Sequence, residues 1–208
     1  MRDTDVDRKG HWDRIYRTKA PSQLTWFEPR PETSLRLIEA AGLGPDARIL
    51  DVGGGTSTLV DCLLDAGYRN LGVLDVSPEA LETSRLRLGE RAAQVQWMEA
   101  EVTQYSARQS WDLWHDRAVL HFLTEPDDVL AYRREMLEAL SADGQAVIAT
   151  FGPEGPTKCS GLEVQRYDSD SLQEALGSRM ELADSLLEEH LTPTGATQQF
   201  LFCRFRRA

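Results

Sequence analysis

Long apolar runs, paired cysteines and positive charge are what this chain has least of. No stretch of its 208 residues approaches the roughly 18 consecutive apolar positions of a membrane span. The opening MRDTDVDRKG is charged where a secretory signal would need an apolar centre. A soluble, cytoplasmic protein is expected, with no membrane partner. Three cysteines, Cys62, Cys159 and Cys203, are odd in number, far apart and in no CxxC or Cys/His cluster, so neither a disulfide framework nor a zinc site is expected. No metal is expected at all. With 23 Lys and Arg against 34 Asp and Glu, the formal charge of −11 repels phosphate backbones. The one basic cluster, CRFRR at residues 203–207, reads as the solvated end of a strand, and nucleic acid is not expected as a partner.

What is present suits a single α/β domain. The 41% of hydrophobic residues suffice for one full core in a chain too short for two ordinary ones. Short β-rich runs alternate with helical patterns, the mark of a doubly wound, mostly parallel sheet covered on both faces. The helix ETSLRLIEAAG ends at Gly42, the strand ARILDV follows, and then the helix STLVDCLLDAG, in which Leu59, Val60, Leu63 and Leu64 share a face. After the strand NLGVLDV, Ser77 and Pro78 supply an N-cap and a first-turn proline for a helix that closes at Gly89. The alternation continues through VQWMEA, WDLWHD, the long helix PDDVLAYRREMLEALSADG and the strand QAVIATF. Five strands of parallel type result. The last segment, MELADSLLEEHLTPTGATQQFLFCRF, holds two strand-like runs joined by a Pro/Gly turn, an antiparallel hairpin at one side of the sheet.

In such a sheet a ligand lies at the carboxyl ends of the first strands, where Gly53, Gly54 and Gly55 let it approach the backbone. A phosphate-cradling loop would end in Gly-Lys-Ser/Thr, which is absent, and a dinucleotide fingerprint needs Gly or Ala where Thr58 stands. Asp75 ends the second strand 24 residues after Asp51, where its carboxylate can accept from both hydroxyls of a ribose. An adenosine ligand without a phosphate meets these conditions best. The competing reading of the glycines is tight strand-to-helix packing and nothing more.

The motifs ILDVGGGTS and LGVLDVSPEAL resemble the first two motifs of the class I S-adenosylmethionine-dependent methyltransferases, over roughly residues 33 to 206. The resemblance implies a seven-stranded sheet ending in the same hairpin, with S-adenosyl-L-methionine as cofactor and S-adenosyl-L-homocysteine as product. It implies that Asp51 and Gly53 to Gly55 cradle the methionine part, Asp75 holds the ribose, Val76 packs on adenine, and Glu101 with Val102 reach the adenine edge. Gly53 departs from the Gly-Cys-Gly or Gly-Ser-Gly of many members, which still leaves the backbone open. The stretch HWDRIYRTKAPSQLTWFEPRPETSLRLI is similar to a narrower branch, opening with His-Trp-Asp-x-x-Tyr, that includes protein-lysine methyltransferases; bacterial-looking members also share WHDRAVLHFL and KCSGLEVQRY in similar form. Residues 1–32 are accordingly expected as an N-terminal lid on a core of residues 33–208. Trp12, Tyr16 and Trp26 would cover the cofactor, with Phe27 toward the acceptor, unless these aromatics simply pack a helix and turn.

Methyl transfer needs an acceptor lone pair held opposite the leaving sulfur, and removal of a proton if the acceptor carries one. At the end of the fourth strand His115, Asp116, Arg117 and His121 are the expected catalytic group. The alternative is an Asp–Arg pair capping a short helix with His121 in a polar niche. Asp116 stands where the lysine-methylating relatives have the Asp of Asp-Lys-Gly, but Arg117 and Ala118 replace the Lys and Gly, which speaks against a protein substrate. In the Gly/Pro-rich loop FGPEGPTKCSGLEVQRY, Lys158, Cys159 and Arg166 are expected to bind substrate, with Cys159 a pocket wall rather than a nucleophile. Basic residues converging there would suit a small anion or a thiolate. The expected function is methyl transfer to a small-molecule acceptor, thiol or hydrosulfide ahead of oxygen and nitrogen. A protein-lysine N-methyltransferase and a non-catalytic cofactor-binding module are the alternatives.

Overall fold

A computed structural model describes residues 7–208. The first six residues of the expected lid segment lie outside the described residues. Helix α1 (Arg8–Thr18) is followed by a single 3-10 turn at Pro21–Gln23 and by α2 (Glu32–Ala40). Then β1 (Arg48–Val52), α3 (Leu59–Asp65), β2 (Asn70–Asp75), α4 (Pro78–Leu88), β3 (Val95–Glu99) and β4 (Trp111–Arg117) alternate in chain order. Helix α5 (Pro126–Ala139) and β5 (Leu140–Phe151) complete the parallel part. The short pair β6 (Lys158–Cys159) and β7 (Leu162–Glu163), helix α6 (Ser169–Leu176), and the long strands β8 (Met180–Leu191) and β9 (Thr197–Arg207) finish the chain.

The main sheet has seven strands in the order β3-β2-β1-β4-β5-β9-β8. Strands β1 to β5 pair in parallel, while β9 runs antiparallel between β5 and β8. This is the doubly wound, Rossmann-like methyltransferase fold expected from the alternation and its terminal hairpin. The order reverses between β1 and β4, which opens a crevice at their carboxyl ends, the general ligand position in such sheets. Apolar residues bury both faces. Leu37, Ile38, Leu59, Leu63 and Leu113 belong to one core, and Trp111, Trp114, Tyr132, Met136 and Phe205 to the other.

Local chemistry explains most boundaries. Ser77 Oγ accepts from the Ala80 N–H at 3.4 Å to start α4 behind Pro78, and Gly89, at φ +59°, terminates it. Three expectations need correction. The helix read through Gly144 stops at Ala139, because Leu140 already pairs with Trp111 of β4, across an irregularity that shifts register before Leu113. The long loop after β5 carries the β6–β7 hairpin, and it is followed by an unanticipated helix, α6, started by Asp168 accepting from the Ser171 N–H at 2.8 Å. The basic tail is not simply solvated: Arg204 pairs with Asp184 and donates to Gln145 at 2.7 Å, while Arg207 donates to the carbonyls of Leu137 and Leu140 at the end of α5. Among the described residues no helix is long and apolar enough to cross a membrane.

Candidate active site

A cleft enclosing about 950 Å³ of empty space, its open mouth included, lies at the carboxyl ends of β1, β2 and β4. Trp12, Tyr16, Trp26, Asp51, Gly53, Gly54, Asp75, Val76, Glu101 and Val102 line it, with His115, Arg117 and Cys159. The glycines keep its floor open. Gly53 and Gly55 have φ of +62° and +45°, and a Cβ on Gly54 would lie 2.6 Å from Asp51 Oδ2 and 2.8 Å from Val73 Cγ1. A Cβ on Gly55 would lie 2.7 Å from the Tyr16 hydroxyl and 3.0 Å from Asp75 Oδ2, so this residue carries the close approach of α1 to the second aspartate.

Both aspartates are withdrawn from water. Asp51 is 3% exposed and Asp75 6%. Asp75 Oδ1 accepts from the Ser77 N–H at 2.8 Å, but burial, joined by the nearby charge of Asp51, pushes its pKa up to about 7. Asp51 pairs through Oδ1 with His115 Nδ1 at 2.7 Å, and its Oδ2 is buried without any partner among the described residues. A buried carboxylate oxygen without a donor is costly, and this one lies beside Gly54, whose missing side chain leaves room at the wall of the cleft. These features suit the cofactor implied by the motifs: an open backbone for the methionine part, and two acceptor carboxylates for its donors.

Helix α1 roofs this half of the cleft without burying any residue fully. Residues four apart on a helix share a face, so Trp12 and Tyr16 point down together. Trp12 packs edge-on to Trp26 and Phe122, with centroids 5.8 and 5.0 Å apart. Asp13 accepts from the Ser77 hydroxyl at 2.5 Å, Arg17 donates through Nε to Glu79 at 3.0 Å, and Arg8 pairs with Asp128 and Lys9 with Glu99. These contacts tie α1 to α4, β3 and α5 through polar groups rather than through a buried apolar face.

The fourth strand divides the expected catalytic group. Side chains alternate across a strand, so His115 and Arg117 face the cleft while Asp116 faces the opposite core. There Asp116 accepts from the Tyr132 hydroxyl at 2.7 Å and from the N–H groups of Val119 and Leu120 at 2.9 and 3.1 Å. Burial still raises its pKa to about 6, and its structural partners leave it no access to an acceptor. His121 is also outside the cleft. Its Nδ1 accepts from the Phe151 N–H at 3.2 Å between the rings of Phe122 and Phe151, and burial with the charge of Arg117 lowers its pKa to about 3. Asp116 and His121 are thus corrected from catalytic to structural positions.

Arg117 donates to the Trp26 carbonyl at 2.7 Å and to Glu28 at 2.8 Å, and its guanidinium lies 4.8 Å over the Phe200 ring. Burial would raise Glu28, but the bond to His190 and the charge of Arg117 hold it below its ordinary value. A smaller side cavity beside Arg117 and His115 is lined by Phe27, Glu28 and Ser34 among others. Of the expected loop residues only Cys159 lines the main cleft, and burial pushes its thiol up to about 11, so it is no thiolate. Lys158 is turned outward to Glu163 at 2.6 Å, and Arg166 donates to the Pro153 and Gly155 carbonyls at 2.8 and 3.3 Å. The expected convergence of three basic residues therefore reduces to Arg117 alone. Glu28, Ser34, Val119 and Phe122 were not anticipated as neighbours of the site. Ser34, a lone hydroxyl on the apolar face of ETSLRLI, carried a legible signal, whereas Glu28 in its Pro-flanked loop carried none.

Residues 50–146 match the model of a methyltransferase domain. The chain is 29% identical over 133 residues to nodulation protein S of Rhizobium tropici, covering 64% of this chain and 53% of that protein. It is 27% identical over 148 residues to an eEF1A lysine and N-terminal methyltransferase of Danio rerio, covering 69% of this chain and 21% of that one. The chain therefore spans between about a fifth and about half the length of these two curated relatives. Among solved structures, one from a study of the conversion of a disulfide bond into a thioacetal group in echinomycin biosynthesis superposes with a TM-score of 0.78 at 20% identity, over 96% of this chain and 92% of that one. The N-methyltransferase NodS of Bradyrhizobium japonicum WM9, in complex with S-adenosyl-L-homocysteine, does so at 0.68 and 18% identity, over 86% and 89%.

Asp75 generates a pH-dependent expectation. A carboxyl raised from about 4 to about 7 on folding binds more protons in the folded state across that window, so stability of the ligand-free protein falls as pH rises through it. Asp75→Asn should reduce that slope in thermal melts and weaken S-adenosylhomocysteine about tenfold or more, read by calorimetry. Unchanged affinity would remove Asp75 from the site. The strand order, the crevice at the glycine turn and the match of residues 50–146 to a methyltransferase-domain model agree on one conclusion: the chain has the doubly wound, Rossmann-like methyltransferase fold.

Proposed function

We propose that the protein transfers a methyl group from S-adenosylmethionine to a small-molecule acceptor held at the β4 end of the cleft, beneath α1. The observation that carries this reading is the division of the cleft. Carboxylates gather at the glycine turn, whereas the other half is walled by Trp12, Trp26, Val119, Phe122, Leu123 and Cys159, with Arg117, paired with Glu28, at its edge. Bound S-adenosylmethionine supplies an electrophilic methyl carbon on a sulfonium. Asp51 and the turn at Gly53 to Gly55 hold its methionine part, Asp75 its ribose, and Val76, Glu101 and Val102 its adenine end. Tyr16 and Trp12 exclude water from above.

A small thiol or hydrosulfide is the acceptor this wall suits best. No side chain on the acceptor side is a free general base: both ring nitrogens of His115 are engaged, and the Cys159 thiol is held protonated. An acceptor that sheds its proton to water near neutral pH needs none, and Arg117 favours the anion so formed. The superposing structure from thioacetal work agrees with sulfur chemistry by fold alone, while the superposing NodS structure is that of an N-methyltransferase and offers nitrogen as the second acceptor atom. A protein-lysine acceptor, suggested by the Danio rerio relative and by the N-terminal His-Trp-Asp-x-x-Tyr stretch, would meet on this wall a carboxylate already paired, Glu28 with Arg117, rather than a free one.

We read the whole chain as one domain, with residues 1–32 as the lid segment. Deleting residues 1–30 should leave a cooperative melt but abolish turnover and weaken cofactor binding. A molten truncated chain would make the segment part of the core instead.

A screen of thiols, small acids, amines and purified proteins with methyl-labelled cofactor should label small thiols first. The rate should rise with pH, its onset displaced below the free thiol range of about 8–9. Arg117→Ala should lose most of kcat/KM while the affinity for S-adenosylhomocysteine stays near wild type. Labelling of protein lysine alone would overturn the small-acceptor reading and leave the cofactor assignment standing.

A further inference from the structure

His115 was expected to act on the acceptor, yet it stands in the middle of a buried line. Its Nδ1 lies 2.7 Å from Asp51 Oδ1 and its Nε2 lies 2.9 Å from Ser34 Oγ. The three groups come from β4, β1 and α2, and Asp51 and His115 are register partners on adjacent parallel strands, so their side chains share one face. Ser34, His115 and Asp51 are 1%, 2% and 3% exposed, so the line they form is withdrawn from bulk solvent.

The chemistry orders the line. An ionised carboxylate only accepts, so Nδ1 carries the proton toward Asp51, and Nε2 accepts from the Ser34 hydroxyl. Ser34 thereby fixes the tautomer, and His115 fixes the rotation of the Asp51 carboxylate. The other oxygen, Oδ2, is left partnerless, above Gly54 and on the wall of the cleft. A carboxylate oxygen kept buried and unpaired calls for a donor on the ligand, best a cationic N–H.

We infer that Ser34 and His115 are positioning residues that aim Asp51 Oδ2 at the α-ammonium of the cofactor. This rests on the cofactor reading given above. That reading sends the ribose hydroxyls to Asp75 and the adenine edge toward Glu101 and Val102, which leaves the ammonium as the donor for Asp51. His115 takes no proton from the acceptor, since both of its nitrogens are already engaged.

The test is a ratio of affinities. Wild-type protein is titrated calorimetrically with S-adenosylhomocysteine and with its analogue lacking the α-amino group. The amino-bearing ligand should be preferred by roughly tenfold or more, the worth of a charge-assisted bond. In His115→Leu the preference should fall to about threefold or less, with affinity for the deaminated analogue near wild type. His115→Asn, whose amide N–H stands near the place of Nδ1–H, should restore most of the preference. Ser34→Ala removes one hydroxyl, is the variant least disturbing to the fold, and should lower the ratio by a smaller factor. Equal loss for both ligands, the mark of a merely structural role, overturns the inference, as does an unchanged preference in both His115→Leu and Ser34→Ala. A wild-type protein that binds both ligands equally overturns the positioning line alone, whereas one that binds neither overturns the cofactor reading with it.

Discussion

Two carboxylates held out of water on either side of one glycine turn are the constraint to which the rest of this molecule answers. Asp51 and Asp75 end adjacent parallel strands, and neither is compensated by a basic side chain within the turn. Such burial is unfavourable for folding alone. The surrounding elements contain the cost without removing it: His115 and Ser34 satisfy one oxygen of Asp51, and the Ser77 amide one of Asp75. The remaining acceptor capacity faces the cleft. A site that folds at a cost and recovers it on binding a donor-rich ligand is what preorganised recognition requires.

The fourth strand distributes the remaining labour through its period of two. His115 and Arg117 face the cleft, the first bonded to Asp51 and the second to the Trp26 carbonyl and Glu28, while Asp116 ties the strand to Tyr132 in the far core. Trp114, on the same side as Asp116, donates to that Tyr132 hydroxyl at 2.9 Å. One seven-residue strand thus lines the cleft on one face and ties the far core together on the other. Helix α1 meets the cleft through the aromatic faces of Trp12 and Tyr16 and otherwise holds by polar pairs.

Much of this was legible in the chain itself. The alternation of β-rich and helical runs gave the sheet, the Pro/Gly turn at Thr192–Gly195 marked the final hairpin, and the paired aspartates with three glycines located the cleft. What could not be read was side-chain partnership between segments distant in sequence. The pairing of Arg117 with Glu28, 89 residues apart, and of His115 with Ser34, 81 apart, follows from tertiary packing that no local pattern encodes. Asp116 is a different case, because strand alternation already separates it from His115 and Arg117. Lys158 and Arg166 were grouped with them by proximity in sequence to Cys159, and local partners, Glu163 and the loop carbonyls, hold both in the loop.

The most direct measurement of the central claim is a crystal structure of the protein grown with S-adenosylhomocysteine. The account predicts both Asp75 oxygens within hydrogen-bond reach of the ribose hydroxyls, Asp51 Oδ2 bonded to the α-amino nitrogen, and the Ser34–His115–Asp51 line unchanged. A ligand seated away from the glycine turn would contradict it, as would an α-amino group bound by other residues while Asp51 Oδ2 stays unpaired.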